Sequence, residues 1–320
     1  MLACFATFED RPASAGRPFY HLPVLYREVA ELLPAGEGRV VIDGTLGGGG
    51  HTEAFLETGA RVRGIDRDAE ARAHAGERLA RFGERLEIVP GRFGEMAALA
   101  AERGWEAADA ILLDIGVSSR QLDAAERGFS FQKDGPLDMR MGAEGPTAAD
   151  LVNEWPEEEL RRIFWEYGEE KSGRKVAAWI VEARKKERFE RTLELADGIA
   201  DLLGRRGRTH PATKVFQALR MAVNDELGEL ERALESAAGL LKPGGRFGVI
   251  TFHSLEDRMV KRFFRETSRE TVDRPEWPEA RPNPRLAYRL ITRKAVSARS
   301  DELKMNPRAR SAKLRVVEKI

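Results

Sequence analysis

The sequence predicts an α/β fold in which helices cover a parallel sheet, with a helical segment inserted between two parts of that sheet. Three observations indicate this fold. Short apolar runs alternate with helical stretches, a glycine-rich turn follows the first run, and a central stretch shows helical periodicity without strand pattern. With 320 residues, 42% of them hydrophobic, the chain is long enough for one large domain or two ordinary ones.

Short apolar runs bounded by Gly, Pro or Asp predict the strands of the sheet. The five runs are Arg39–Asp43, Arg61–Asp66, Leu86–Pro90, Ala108–Asp114 and Arg246–Phe252. Helical stretches separate them, so we expect the strands to run parallel. Before the fifth run, apolar residues at three- and four-residue spacing predict a helix over Leu227–Leu241 that ends at "KPGG" and packs on the sheet. Two more strands are predicted near the end of the chain, Leu286–Thr292 and Leu314–Glu318.

The stretch from Thr147 to about Arg206 has a different pattern, because "WPEEELRRIFWEYGEE" and "ERTLELADGIADLL" are typical of amphipathic helices. Gly and Pro in the flanking "KDGPLDMRMGAEGPT" and "GRRGRTHP" favour linkers on both sides. We therefore predict four segments. They are an N-terminal extension at 1–20, a first core part at 21–140, a helical insertion domain at 141–207, and a second core part with a basic tail at 208–320.

Composition restricts the class of protein. Lys and Arg number 53, as do Asp and Glu, so the net charge near zero neither favours nor excludes a nucleic-acid partner. Cys4 is the only cysteine, so no disulfide forms within the chain. No apolar run approaches the roughly 20 residues of a membrane span. The first residues, "MLACFATFED", lack the basic leader of a secretory signal, and we expect a cytoplasmic protein.

The glycine-rich turn lies in "VVIDGTLGGGGHTEAFLETGARVRGIDRD", from Val40 to Asp68. A turn of this kind brings backbone N–H groups and a helix N-terminus close to a nucleotide-like ligand. The spacing fails for a Walker loop, because Gly50 stands where the lysine belongs. It also fails for a dinucleotide fingerprint, since Gly47 and Gly49 lead to Thr52, so NAD is a second choice. S-adenosylmethionine lacks a pyrophosphate and fits without either spacing.

Strand-end residues predict the rest of a ligand site. Asp66 ends the second strand, where a carboxylate accepts both ribose hydroxyls, and Phe93 follows the third strand, where it lines the adenine. Asp114 ends the fourth strand in the crevice where open α/β sheets bind ligands. The alternative is that both carboxylates only cap turns. His51 begins a helix and contributes a ring or only its N–H group, and no His or Cys spacing predicts a metal site.

Six motifs together resemble those of the bacterial ribosomal small-subunit RNA methyltransferase H family. The motifs are "HLPVLYREV", "DGTLGGGGHT", "DIGVSSRQLDAAERGFSFQKDGPLDMRM", "HPATKVFQALRMAVNDEL", "TFHSLEDRMVKRFF" and "NPRARSAKLRVVE". They occur in order from His21 to about Glu318. The resemblance implies a Rossmann-like class I S-adenosylmethionine-dependent methyltransferase core with an inserted helical domain. It also implies methyl transfer to the exocyclic N4 of a cytidine in the decoding region of 16S rRNA, within the small ribosomal subunit.

The resemblance also assigns residues. The cofactor contacts it implies are Gly49, Gly50, His51, Asp66, Phe93, Asp114 and Gln121. Thr52 stands where a serine is usual but keeps the hydroxyl for helix capping. "DIGV" replaces the D/N/S-P-P-Y/F/W box of many amino-methylating enzymes of DNA, so the catalytic residues follow less directly. We predict Asp114 as proton acceptor and His253 as a second catalytic residue; the alternative is that His253 and Asp257 only cap a helix.

Several segments are candidates for RNA contact. They are "RRGRTHPATK" from Arg205 to Lys214, the tail from Arg281 through Arg315, and the loop residues Arg127, Phe129, Phe131, Met139 and Arg140. The last 40 residues hold 12 Lys and Arg against three Asp and Glu. The alternatives are a solvated charged face and a packed linker. A non-catalytic assembly factor that keeps the cofactor pocket is the rival function, and a homodimer is compatible with the sequence.

Overall fold

The computed structural model describes residues 23–205, 209–273 and 275–320, so the predicted extension at 1–20 lies outside the described residues. The described strands are β1 (Val40–Asp43), β2 (Arg61–Asp66), β3 (Leu86–Pro90), β4 (Ala108–Asp114), β5 (Leu241–Thr251), β6 (Thr271–Val272), β7 (Arg281–Pro282), β8 (Tyr288–Leu290) and β9 (Lys313–Lys319). Strands β6 and β7 form a separate antiparallel pair. The other seven strands form one sheet.

The sheet has the order β3-β2-β1-β4-β5-β9-β8. Strands β1 to β5 pair in parallel, and β9 runs antiparallel between β5 and β8. All four residues of β1 are buried, as expected of a central strand covered on both faces. The strand order reverses between β1 and β4, which opens a crevice at their carboxyl ends. The parallel α/β core predicted from the sequence is therefore confirmed.

Helices cover both faces of the sheet. The described helices, including those of a separate helical unit, are α1 (Tyr26–Leu32), α2 (Gly50–Glu57), α3 (Ala69–Leu79), α4 (Met96–Glu102), α5 (Ser119–Asp123), α6 (Ala148–Glu154), α7 (Glu157–Glu166), α8 (Gly173–Ala183), α9 (Thr192–Leu203), α10 (Thr213–Val223), α11 (Glu226–Leu240), α12 (Ser254–Thr267) and α13 (Ser300–Met305). Buried residues of α4, α11 and α12 share one core cluster with the sheet. Those of α1, α2 and α3 share the other. In the described ranges no helix is long and apolar enough to cross a membrane.

The predicted insertion forms a helical unit with its own core. Helices α6 to α9 bury one cluster of apolar side chains together with α10. Thr147 is the N-cap of α6, and its hydroxyl accepts a hydrogen bond from the Asp150 N–H group at 3.1 Å. The predicted boundary at 207 separates α10 from this unit, although Val215, Phe216 and Leu219 of α10 are buried in its core. We propose that the second core part begins at Asn224, between α10 and α11.

Element bounds differ from the predictions mainly around β5. Strand β5 begins at Leu241, directly after α11 ends at Leu240, so "KPGG" lies inside the strand and not in a loop. The pairing of β4 with β5 shifts register between Ala108 and Ala110, which accommodates these residues. Strand β8 is shorter than the predicted Leu286–Thr292 run.

Candidate active site

A pocket lies at the carboxyl edge of the sheet, where the strand order reverses. The predicted residues that line it are Gly50, His51, Asp66, Phe93, Asp114 and Gln121. Gly49 and His253 are not among the lining residues, although Phe252, the neighbour of His253, is. The fold therefore brings together residues that are up to 71 positions apart in the sequence, from Gly50 to Gln121.

Backbone hydrogen bonds hold the glycine turn between β1 and α2, among them one from the Gly49 N–H group to the Leu46 carbonyl at 2.8 Å. Gly47 and Gly49 have φ angles of 49° and 77°, in the left-handed region that favours glycine. A Cβ on Gly49 would lie 2.8 Å from the Leu79 side chain, so this glycine allows α3 to approach the turn. Part of the glycine content thus serves the packing of the turn, and Gly49 itself is the N-cap of α2.

Asp66 supports the turn from the end of β2. One carboxylate oxygen accepts a hydrogen bond from the Gly47 N–H group at 2.8 Å, and the other accepts from the Asp68 N–H group at 2.8 Å. Burial raises the pKa of Asp66. The two N–H donors lower this pKa, but the effect of burial is larger. Each oxygen retains a second lone pair, so the carboxylate holds the turn and still offers acceptors to the pocket.

Asp43, at the end of β1, is a residue that the sequence-based site predictions missed. Its carboxylate accepts hydrogen bonds from the Thr52 hydroxyl at 2.7 Å and from the Thr45 N–H group at 3.1 Å. Burial raises the pKa of Asp43. The predicted capping role of Thr52 is wrong: its hydroxyl ties α2 to β1, and the N-cap position belongs to Gly49.

Asp114 and His51 lie next to each other in the lining of the pocket. The Asp114 N–H group donates to the Thr45 hydroxyl at 2.6 Å, which fixes the end of β4. Its Oδ2 lies 3.6 Å from Nε2 of His51. Among the described residues, neither Oδ1 of Asp114 nor either ring nitrogen of His51 has a hydrogen-bond partner, although all three atoms are buried. Buried polar atoms of this kind are typical of a site completed by a polar ligand.

Phe93 is positioned by a residue far along the chain. The N–H group of the following residue, Gly94, donates to Oε2 of Glu229 at 2.9 Å, and Arg92 donates to Oε1 at 3.3 Å. Glu229 lies on α11 and its side chain is only 2% exposed. A Cβ on Gly94 would collide with Glu229, so glycine is required for this contact. The pocket wall at Phe93 therefore depends on α11.

Gln121 orders the loop that follows β4. Its side-chain oxygen accepts from the Ser118 N–H group at 3.0 Å, and its amide donates to Asp68 at 3.0 Å. Arg127 donates to the same Asp68 oxygen at 3.0 Å. Gln121 is thus buried in a network that closes one side of the pocket.

The loop residues predicted to stack a base have a different role. Phe129 is 6% exposed and Met139 is fully buried, both within the core of the helical unit. Phe131 packs against His210 and Phe216, with ring centroids 4.8 and 4.7 Å away. The base-stacking prediction is wrong for Phe129 and Met139, because the helical unit uses these side chains for its core.

His253 lies beside a buried group of charges where the helical unit meets the sheet. Arg220 of α10 donates two hydrogen bonds to Glu226, at 2.7 and 2.8 Å, and both side chains are buried. Glu256 accepts hydrogen bonds from the N–H groups of Phe252 and His253 at 2.9 and 3.1 Å. It thereby caps α12 and fixes the backbone at the pocket edge. The alternative prediction is that Asp257 caps this helix together with His253. The Asp257 carboxylate instead pairs with Arg315 at 2.8 Å.

Burial shifts the pKa values of this group in opposite directions. Burial, reinforced by the Arg220 charge, lowers the pKa of His253 to about 4, whereas its usual value is 6.5. Burial, reinforced by the Glu226 charge, raises the pKa of Glu256 to about 7 from 4.5. At pH 6 the folded protein therefore holds a neutral imidazole and a neutral carboxyl next to the ion pair.

Glu256→Gln is expected to change how stability depends on pH. The folded state binds the Glu256 proton more tightly than the unfolded state, so this residue contributes stability that is lost as the pH rises from 4.5 to 7. Relative to the unsubstituted protein, the variant should gain on the order of 1–3 kcal/mol in free energy of unfolding across that window. Urea unfolding at a series of pH values measures the difference.

His253→Gln is expected to give a pH dependence of opposite sign in the same measurement. Because His253 has a lowered pKa, its contribution is present above pH 6.5 and is lost as the pH falls towards 4. The free energy of unfolding of His253→Gln should therefore fall, relative to that of the unsubstituted protein, as the pH rises from 4 to 6.5. A stability difference that stays constant with pH in both variants would contradict the two protonation states.

Much of the basic tail is paired with carboxylates elsewhere in the chain. The pairs are Arg285–Glu235, Arg289–Glu318, Arg299–Glu28, Arg308–Asp123 and Arg315–Asp257. These carboxylates reduce the positive potential that the tail offers to phosphate. The residues 206–208 of the other predicted basic segment lie outside the described part of the chain. RNA binding by both segments stays a prediction.

The strand order, the antiparallel β9 and the pocket at the carboxyl edge define a Rossmann-like class I methyltransferase. The chain belongs to the MraW methylase family, whose model matches residues 18–320. Membership of this family of methylases confirms the prediction of S-adenosylmethionine as methyl donor. Within the described ranges no three His, Cys, Asp or Glu residues form a group that could hold a metal ion.

Relatives match nearly the whole chain. A protein of Geobacter sulfurreducens named "Ribosomal RNA small subunit methyltransferase H" is 53% identical over 309 residues, covering 94% of this chain and 99% of the relative. A protein of Paramagnetospirillum magneticum with the same name is 53% identical over 306 residues, covering 93% of this chain and 95% of the relative. A third protein of the same name, from Heliobacterium modesticaldum, is 49% identical over 311 residues, covering 94% of this chain and 99% of the relative.

Similar solved structures are more distant. The crystal structure of an rRNA methylase from Streptococcus thermophilus matches with a TM-score of 0.40 and 11% identity, over 92% of this chain and 93% of that one. A SAM-dependent O-methyltransferase from Thermotoga maritima matches with a TM-score of 0.36 and 12% identity, over 92% of this chain and 64% of that one. The family assignment rests on the family model and the close relatives.

Proposed function

We propose that this protein is a cytoplasmic enzyme that transfers a methyl group from S-adenosylmethionine to the exocyclic N4 of a cytidine in the decoding region of 16S rRNA. The observation that carries the RNA substrate is the 49–53% identity, over at least 93% of the chain, to relatives named as ribosomal RNA small subunit methyltransferases. The choice of N4 and of the decoding region comes from the motif resemblance.

The pocket residues fit the cofactor. Asp66 offers acceptor lone pairs for ribose hydroxyls, and the Phe93 ring supplies an apolar wall for adenine. His51 and Asp114 supply buried polar atoms that have no hydrogen-bond partner among the described residues. When bound, S-adenosylmethionine supplies a methyl group that its sulfonium activates. We assign Gly50, His51, Asp66 and Phe93 to cofactor binding, with Gly49 and Gln121 shaping the pocket.

The residues of this chain chiefly align the reacting groups. A cytosine amine is a poor nucleophile, because its lone pair is delocalised into the ring. In-line placement supplies roughly 7–11 kcal/mol in well-oriented systems. Bound S-adenosylmethionine would supply the methyl group and keep the bonding electron pair on its sulfur, so the residues of this chain would have one proton to remove, that of the methylated N4. Oδ1 of Asp114 is buried and has no hydrogen-bond partner among the described residues, so we assign it as the acceptor of that proton.

The direct test is nucleoside analysis by mass spectrometry. Small subunits from cells that lack the protein are incubated with the purified protein and labelled S-adenosylmethionine, and the 16S rRNA is digested. Label in N4-methylcytidine is the expected result. Cofactor binding without any label in rRNA would favour the non-catalytic assembly factor, whereas label in another nucleoside would keep the enzyme class and change the acceptor.

Neutralising two exposed cations near the pocket tests whether the basic tail binds RNA phosphate. Arg308 lines the pocket, and Arg310 is exposed two residues away. If both contact phosphate, Arg308→Gln/Arg310→Gln should reduce the slope of log affinity for small subunits against log salt by about 1.4–1.8, at about 0.7–0.9 per contact. Filter binding at several salt concentrations measures the slope, and an unchanged slope would contradict a phosphate-binding role for these two residues.

A further inference from the structure

A row of cations lies on the exposed face of α12. Its members are Arg258, Lys261, Arg262 and Arg265, and all four are exposed. Their spacing of three, one and three residues places them on one face of the helix. The buried residues Val260, Phe264 and Thr267 lie on the opposite face, which packs on the sheet. We call these four residues the α12 row.

The α12 row begins about one helical turn beyond the pocket edge. Helix α12 starts at Ser254, two residues after Phe252, which lines the pocket at the end of β5. From Arg258 to Arg265 the helix advances about 10 Å, at about 1.5 Å per residue. That length is enough for the row to meet more than one phosphate of a nucleic-acid strand. The row therefore extends away from the pocket edge along the outer surface of the molecule.

Acidic side chains neutralise only half of the α12 row. Glu169, from the helical unit, lies 3.3 Å from Arg258, and both side chains are largely exposed. Glu266 lies 3.9 Å from Arg262 and also contacts Arg285. Lys261 and Arg265 have no acidic partner among the described residues. Exposed ion pairs contribute about 0–1 kcal/mol, so phosphate competes with Glu169 and Glu266 at little cost.

We propose that the α12 row binds the phosphate backbone of the RNA strand that carries the target nucleotide and directs that strand into the pocket. This inference rests on the proposed function, because it takes ribosomal RNA as the substrate. The row suits a phosphate chain because its four cations share one helix face, and two of them, Lys261 and Arg265, have no acidic partner among the described residues. Phosphate contacts position a strand without reading its sequence, and the pocket then selects the base.

The experiment compares two variants that each remove two positive charges. Lys261→Gln/Arg265→Gln changes the α12 row. Arg61→Gln/Arg103→Gln changes exposed cations at the amino-terminal edge of the sheet, away from the pocket. For the first variant we expect KM for small subunits to rise at least ~5-fold, with kcat and S-adenosylmethionine affinity unchanged, and the salt slope to flatten by about 1–1.5. The second variant should have the same KM, kcat and salt slope as the unsubstituted protein.

Two results separate this inference from the proposed function. Equal KM and salt slope in both variants, with normal methylation of rRNA, would overturn the α12 row and leave the enzyme intact. If the unsubstituted protein fails to methylate subunits, direct filter binding in the presence of S-adenosylhomocysteine decides the question. Weaker, less salt-sensitive binding by Lys261→Gln/Arg265→Gln alone would then support the row while the proposed function fails, and equal binding would overturn the row as well.

Discussion

Asp114→Asn is expected to lower kcat for methyl transfer by about 10²–10⁴-fold, while S-adenosylmethionine affinity changes by less than about tenfold. The amide keeps the size of the side chain but cannot accept the N4 proton as a carboxylate does. The fold tolerates the change, because Asp114 is held through its backbone N–H group by Thr45 and Oδ1 has no partner among the described residues. Single-turnover kinetics and cofactor titration by tryptophan fluorescence measure the two effects.

Asp109→Asn is the matched control on the same strand. Asp109 lies at the opposite end of β4, where it accepts hydrogen bonds from the Val40 N–H group and Lys242, each at 2.9 Å. Its substitution should alter stability and leave kcat unchanged. If Asp114→Asn loses kcat and cofactor affinity by equal factors, Asp114 belongs to cofactor binding and the proton acceptor lies elsewhere.

Glu226→Ala is expected to lower the free energy of unfolding by about 3–5 kcal/mol, because it leaves the Arg220 charge buried without its partner. Both side chains of this pair are less than 10% exposed, and the two hydrogen bonds between them are 2.7 and 2.8 Å long. The pair joins α10 of the helical unit to α11 on the sheet. Urea unfolding at pH 7 measures the loss.

Two comparisons make this result specific. Glu159→Ala breaks an exposed pair with Arg162 on α7 and should cost less than about 1 kcal/mol. The double variant Arg220→Met/Glu226→Leu removes both charges, and we expect it to be more stable than Glu226→Ala. A loss below about 1 kcal/mol for Glu226→Ala would show that water or another group, such as Glu256, compensates Arg220.

The strands of the core were predictable because their signals are local. Strands β2, β3 and β4 have the predicted bounds, since each is an apolar run bounded by Gly, Pro or Asp. The end of α11 was off by one residue, and β5 began five residues early. Local pattern marks "KPGG" as a helix stop, whereas only pairing with β4 extends the strand through it.

The candidate site was predictable in part. Residues at strand ends were placed in one pocket, because parallel strands put their carboxyl ends at one edge of a sheet. The supporting side chains were missed. Glu229 lies 135 positions from Gly94, and Asp68 lies 53 positions from Gln121, so no spacing in the sequence relates them.

The sequence by itself determined the α/β class, the glycine turn and the strand-end carboxylates, because neighbouring residues set strands, turns and helix starts. Only the tertiary structure decided what the charged side chains do. It buried Arg220 with Glu226, turned Phe129 and Met139 into core residues, and paired much of the basic tail while exposing the α12 row. Burial and pairing depend on segments that meet only in the folded chain, and these contacts decide whether a charge binds a ligand or holds the fold.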